Sequence, residues 1–143
     1  MLYTYQKQLN GKKIGVVFGS FAPLHQGHLD VIMRAKKEND GGCIVVVCGF
    51  DGDKGEPLMP HKKRYRYVRE FFANDDLVGV YPINDSKLGI ANYPYGWNQW
   101  LKEFDNIWKV AVSDNSQSAV KIWYVGEEEY AIGVTERSEN TVI

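Results

Sequence analysis

The sequence has 143 residues, of which 44% are hydrophobic and 24% charged, a composition typical of one soluble globular domain that needs no disulfide to form its core. Seventeen basic and eighteen acidic side chains leave a formal net charge of −1, which argues against a general affinity for nucleic acid or anionic membranes. There is no signal pattern and no apolar run of membrane-spanning length, so we expect a cytoplasmic protein that binds neither a membrane nor nucleic acid directly.

Short β-branched runs alternate along the chain with stretches of helical spacing. Strands are predicted at residues 13–18, 44–48, 77–83 and 120–125, and helical apolar spacing falls within 29–36, 65–72 and 97–108. This alternation predicts an α/β fold, with βαβ units forming a parallel sheet that is covered by helices on both faces. Cys43 and Cys48 lie five positions apart in one predicted strand, so we expect them on opposite faces, buried and unpaired.

In such a sheet, ligands bind beyond the carboxyl ends of the strands. The segments that follow the four predicted strands are residues 19–26, 49–60, 84–96 and 126–130. Functional residues are therefore expected in these four loops.

The first loop carries the sequence GSFAPLHQGH, residues 19–28. Gly19 is expected to take a positive φ at the exit from the strand, and Pro23 to stiffen the turn. Gly27 lies in the first helical turn, where a missing side chain would let a flat ligand approach the backbone. His25 and His28 are three residues apart and should project together above the helix N-terminus, a position that favours anions.

Three interpretations of this histidine pair remain open. The imidazoles could donate to phosphate oxygens and stabilise charge in a transition state, they could bind zinc, or they could be structural. The zinc interpretation lacks a cysteine or carboxylate at ligand spacing, and the only other histidine is His61. Phosphate chemistry is the favoured interpretation.

The same ten residues resemble the G-x-F-x-P-x-H-x-G-H signature of the nucleotidylyltransferase superfamily. That resemblance implies a Rossmann-like parallel sheet with strand order 3-2-1-4-5, in which the fifth strand is expected to be cut off by the chain end. It also implies that His25 and His28 are the catalytic residues, which hold the ATP phosphates while a second substrate attacks the α-phosphate and displaces pyrophosphate.

The wider pattern resembles the nicotinamide mononucleotide (NMN) adenylyltransferase domain of bacterial NadR-type proteins, which also contain a ribosylnicotinamide kinase. The resemblance rests on the histidine motif, the Lys-Arg-x-Arg helix start at residues 63–66 and the Tyr-Pro-x-Gly-Trp-x-x-Trp stretch at 93–100. It implies nucleotide or phosphate binding by Gly19, Ser20, Phe21, Gly27, Arg64, Gly126 and Glu127. Trp97 would stack on the nicotinamide ring, although packing as a hydrophobic staple is the alternative, and Asp85 would orient the nicotinamide nucleotide.

The sequence also lacks two motifs that the resemblance would lead one to expect. The second superfamily signature, Ser-x-Thr-x-x-Arg, has no match near the end of the chain, and neither does the kinase P-loop. We therefore expect residues 1–143 to be a truncated NMN adenylyltransferase-like domain that a kinase domain follows in the full-length protein, and which could form a homo-oligomer.

The predicted reaction joins ATP and NMN to give NAD and pyrophosphate, with Mg²⁺ carried on the ATP. Two alternatives remain open: an NAD- or NMN-sensing regulatory module with little activity of its own, and transfer to another phosphate acceptor such as phosphopantetheine.

Overall fold

A computed structural model describes residues 8–49, 60–91, 95–112 and 118–125, together with the backbone of 140–142. Its elements are β1 (Lys13–Gly19), α1 (Gln26–Glu38), β2 (Cys43–Cys48), α2 (His61–Phe71), β3 (Val78–Ile83), α3 (Asp85–Leu88), α4 (Trp97–Ala111), β4 (Val120–Tyr124) and β5 (Asn140–Val142). The four predicted strands and three predicted helical stretches are confirmed, and two of the described elements, the short α3 and β5, have no counterpart among the predictions.

The five strands form one parallel sheet in the order β3-β2-β1-β4-β5, which confirms the expected topology. The expectation that the chain end removes the fifth strand is wrong, because residues 140–142 pair in parallel with Ile122, Trp123 and Tyr124. A strand of only three residues can form here because the outer edge of β4 presents unpaired backbone donors and acceptors.

Apolar residues on the two faces of the sheet form two separate cores. On one face, Trp100, Phe104 and Ile107 of α4 pack against β-strand residues that include Trp123. On the other, Ile32 of α1 and Val68 of α2 belong to a second core. Burial of both faces explains why β2 is apolar throughout its length.

Cys43 and Cys48 are free and buried, and they belong to opposite cores, as their spacing in β2 predicts. Burial raises the pKa of both thiols well above the usual range, so both remain protonated. One member of the predicted apolar stripes departs from the pattern: Phe71, at the end of α2, is 60% exposed.

No helix in the described part of the chain is long and apolar enough to cross a membrane. A close backbone approach occurs at Gly42, which has φ +85° and precedes β2. A Cβ built there would lie 2.2 Å from the carbonyl oxygen of Leu77, so only glycine fits between β2 and the start of β3.

Candidate functional site

The turn between β1 and α1 lies at the carboxyl edge of the sheet, beside the point where the strand order reverses between β1 and β4. The residue of this turn with a left-handed backbone conformation is Phe21, with φ 50°. The predicted positive φ at Gly19 is therefore wrong. The Phe21 ring is buried and packs beside Gly19, and this burial offsets the backbone strain. The Ala22–Pro23 peptide bond that follows is cis.

His25 and His28 form a reciprocal cap at the start of α1. His25 Nδ1 accepts a hydrogen bond from the Gly27 N–H at 3.1 Å, and His28 Nδ1 accepts one from the His25 N–H at 3.2 Å. The two rings stack with centroids 3.8 Å apart, and Phe21 lies 4.6 Å from the His28 ring. The structure therefore confirms that the histidines lie together at the helix N-terminus.

This cap selects the tautomer of both imidazoles. Because each Nδ1 accepts a backbone N–H, the proton of each neutral ring lies on Nε2, which can donate to an anion. Burial, assisted by the charge of His25, lowers the pKa of His28. His28 is consequently neutral at pH 7 in the free protein, and a bound phosphate would favour its protonated form.

Gly27 has a different role from the expected one. A Cβ at this position would lie 2.9 Å from Cε1 and 3.2 Å from Nδ1 of His25. The space beside the Gly27 Cα is therefore filled by the His25 ring, where the sequence analysis predicted room for a flat ligand. Gly27 permits the approach of the imidazole that caps the helix.

Arg64 has no exposed surface and lies under the loops that leave β1 and β2. Its guanidinium donates to the carbonyl oxygens of Ser20 at 2.6 Å, Cys48 at 2.8 Å and Gly49. Direct contact of Arg64 with phosphate stays a prediction, because the bonds described here are to backbone. Ser20 is half-buried and contributes its carbonyl to this arrangement.

Asp85 is 5% exposed and accepts a hydrogen bond from the Gly49 N–H at 2.8 Å. Burial raises its pKa, whereas that hydrogen bond and the charges of His61 and Arg64 oppose the rise. His61, also 5% exposed, pairs through Nε2 with the Val47 carbonyl at 2.8 Å. No such role for His61 is predicted from the sequence, although its position at the start of a helix after a buried strand was an available signal.

Trp97 is 5% exposed and belongs to an aromatic cluster on the α4 face of the sheet. Its ring stacks on Trp100, with centroids 5.2 Å apart, and lies 6.0 Å from Phe18 and 6.5 Å from Trp123. This packing matches the hydrophobic alternative considered for Trp97. Stacking on a nicotinamide ring stays a prediction.

The last two predicted site residues, Gly126 and Glu127, lie outside the described residues. Within the described part of the chain, no three histidine, cysteine or acidic side chains cluster as metal ligands do.

Residues 16–136 match the sequence model of the family described as Cytidylyltransferase-like. The chain belongs to this family. Among curated relatives, the Trifunctional NAD biosynthesis/regulator protein NadR of Escherichia coli (strain K12) is 32% identical over 107 residues, which are 65% of this chain and 25% of the relative. A probable nicotinate-nucleotide adenylyltransferase of Thermotoga petrophila is 25% identical over 118 residues, covering 80% of this chain and 58% of the relative.

Two solved structures show the same architecture at greater coverage. A NadR protein in complex with NR is 34% identical, with a TM-score of 0.81, and the match covers 94% of this chain and 37% of that one. A NadR protein in complex with NAD and AMP-PNP is also 34% identical, with a TM-score of 0.79, and covers 95% and 38%. This Cytidylyltransferase-like chain thus spans between a quarter and two fifths of the length of the NadR proteins that it matches.

Proposed function

We propose that this chain transfers the adenylyl group of MgATP to NMN, giving NAD and pyrophosphate. The observation that carries the proposal is the pair of stacked imidazoles at the N-terminus of α1, whose Nδ1 atoms are both used by backbone N–H groups. Two Nε2–H donors above a positive helix end are suited to a triphosphate. Membership of a nucleotidylyltransferase family supports the same reaction type.

In the proposed step, a phosphate oxygen of NMN attacks the α-phosphorus of ATP. A new P–O bond forms between the two nucleotides, while the bond between the α-phosphorus and the bridging oxygen to the β-phosphate breaks. The bond electrons leave with pyrophosphate, in line with the attack. His25 and His28 stabilise the negative charge on the phosphates, and alignment of the two substrates supplies the rest of the catalysis. Mg²⁺ enters as part of the nucleotide substrate.

The choice of NMN as acceptor rests on the motif resemblance and on relatives whose names refer to NAD, and not on Trp97, because the structure packs that indole inside the aromatic cluster. A specific observation favours a second acceptor: the Thermotoga petrophila relative acts on a nicotinate nucleotide by its name. The sensing module and other phosphate acceptors make different predictions, since a sensor binds nucleotide without releasing pyrophosphate.

The test is incubation of the purified chain with MgATP and, separately, NMN, nicotinate mononucleotide or phosphopantetheine, with assay of dinucleotide and pyrophosphate. We expect the fastest pyrophosphate release with NMN. Faster release with another acceptor would replace the acceptor assignment, and nucleotide binding without pyrophosphate would support the sensor.

A variant pair tests the role of the histidines in the same assay. His28→Ala should lower kcat about 100-fold or more while the dissociation constant of NMN changes less than twofold, because the ring acts on developing charge. Lys37→Ala, an exposed change in the same helix, is the control and should leave both values unchanged. Equal losses of kcat and NMN affinity in His28→Ala would contradict this role.

A further inference from the structure

Three ionisable side chains lie nine-tenths or more buried where β1, β2 and β3 end. His61 and Asp85 are each 5% exposed and Arg64 is 0% exposed. We call these three residues the strand-exit cluster. Charged side chains are almost never buried this fully unless their charges and donors are satisfied, so the fold must gain something specific from them.

The described hydrogen bonds of the strand-exit cluster go to backbone groups at the strand ends. Arg64 Nη1 donates to the carbonyls of Ser20 and Cys48, and Nη2 donates to that of Gly49. His61 pairs with the Val47 carbonyl, while Asp85 accepts the Gly49 N–H. The cluster therefore joins the turn that leads to His25 and His28 to the start of the loop that follows β2.

The guanidinium group of Arg64 suits this connection better than any other cationic side chain. Its planar guanidinium presents several N–H donors in a fixed fork, so one side chain can hold carbonyls from two different loops at a set separation. A lysine ammonium would keep the charge but would lack the rigid fork. Asp85 completes the arrangement by fixing the N–H of the same glycine whose carbonyl Arg64 binds.

We propose that Arg64 and Asp85 are positioning residues, which set the separation between the histidine turn and Gly49 at the end of β2 and thereby the alignment of the two substrates. This inference rests on the proposed adenylyl transfer. Neither side chain needs to touch substrate: Arg64 acts through the carbonyls of Ser20 and Gly49, and Asp85 acts through the N–H of Gly49. A displacement of even 1 Å at reacting groups lowers a rate by about 100-fold, so loss of the fork should reduce kcat strongly.

The experiment compares Arg64→Lys, Asp85→Ala and Asp85→Asn with the unchanged chain, using Arg66→Lys as the matched control. Arg66 lies on the same helix, is exposed and pairs with Glu70 at 3.0 Å. Three quantities are measured for each variant under conditions where it is folded: kcat at saturating MgATP and NMN, the denaturant midpoint, and the hydrogen-exchange rate of the Gly49 amide.

We expect Arg64→Lys and Asp85→Ala to lower kcat at least tenfold, and Arg66→Lys to leave it within twofold. The Gly49 amide should exchange at least tenfold faster in Asp85→Ala, and Asp85→Asn, whose amide oxygen can still accept the N–H, should restore most of the protection and of kcat. A purely structural cluster would change the midpoint and the Gly49 exchange rate but leave kcat of the folded variants unchanged. Folded Arg64→Lys and Asp85→Ala proteins with unchanged kcat would overturn the proposal, and so would failure of both variants to fold.

The design separates this inference from the proposed function. If the unchanged chain makes no NAD from NMN but binds MgATP, the adenylyl-transfer proposal fails. The role of the strand-exit cluster is then tested by MgATP affinity. Arg64→Lys should weaken this affinity at least threefold, because Arg64 holds the Ser20 carbonyl in the histidine turn. Arg66→Lys should leave the affinity unchanged. Equal MgATP affinities in those two variants would overturn it.

Discussion

Replacing Gly27 by alanine should separate the stability of this protein from its activity. The added Cβ would lie 2.9 Å from Cε1 of His25, whereas ordinary van der Waals contact begins at 3.4 Å, so the imidazole must move by about 0.5 Å. Alanine is better than glycine within a helix by about 1 kcal/mol. Weakening of the hydrogen bond from this residue's N–H to His25 Nδ1 costs about 1 kcal/mol. The free energy of unfolding should therefore change by less than about 1 kcal/mol.

The effect on the rate should be larger. Because a misplacement of 1 Å lowers rates by about 100-fold, a shift of half that size should lower kcat for adenylyl transfer by about tenfold. The assay is pyrophosphate release at saturating MgATP and NMN, paired with denaturant unfolding of the same preparation. Lys37→Ala on the exposed face of α1 serves as the control and should leave kcat unchanged.

A double-mutant cycle isolates the cause. If the added methyl group acts by displacing the His25 ring, Gly27→Ala should have no further effect on kcat in a His25→Ala background. A kcat of Gly27→Ala within twofold of that of the unchanged chain would show that the added methyl group does not displace a ring that catalysis needs. So would an equal loss of kcat in the presence and absence of the His25 ring.

Three further predictions address the pKa of His28 and two structural contacts. Burial lowers the folded-state pKa of His28, so the stability contributed by its neutral ring is present above pH 6.5 and is lost as the pH falls from 6.5 through that lower pKa. The ring resonances followed by NMR should titrate with a midpoint below pH 6.5, and MgATP should shift that midpoint upward. An unchanged midpoint would count against phosphate contact. Tyr124→Phe removes a hydroxyl that donates to a carboxylate of α1 and accepts from the buried amide of Asn39. We expect the free energy of unfolding, measured with denaturant, to fall by about 1 kcal/mol, and no change would show that water replaces these bonds. Gly42→Ala places a Cβ 2.2 Å from the Leu77 carbonyl oxygen at a residue with φ +85°. The free energy of unfolding should fall by more than about 2 kcal/mol in the same measurement, and a fall of less than about 1 kcal/mol would mean that the backbone relaxes freely.

The parallel sheet, the order of the elements along the chain and the position of the histidine pair could all be predicted from the amino-acid sequence. Residues 44–48 are uniformly apolar because a parallel strand covered on both faces excludes polar side chains. The spacing of His25 and His28 placed both rings on one side of a helical turn, since local helix geometry depends only on neighbouring residues. Reaction class followed from that local geometry and from the resemblance that the motif carries.

The contacts of the remaining site side chains follow from three-dimensional packing and could not be predicted from local sequence patterns. Arg64 and Trp97 have sequence contexts that suit a ligand, yet one is buried against carbonyls from two loops and the other is packed against a second indole. Whether a guanidinium meets a phosphate or a carbonyl depends on which strand ends lie beside it, and the residues whose carbonyls Arg64 binds are 15 to 44 positions away along the chain. The strain at Phe21 and the approach of His25 to Gly27 are likewise set by packing, which no local pattern records.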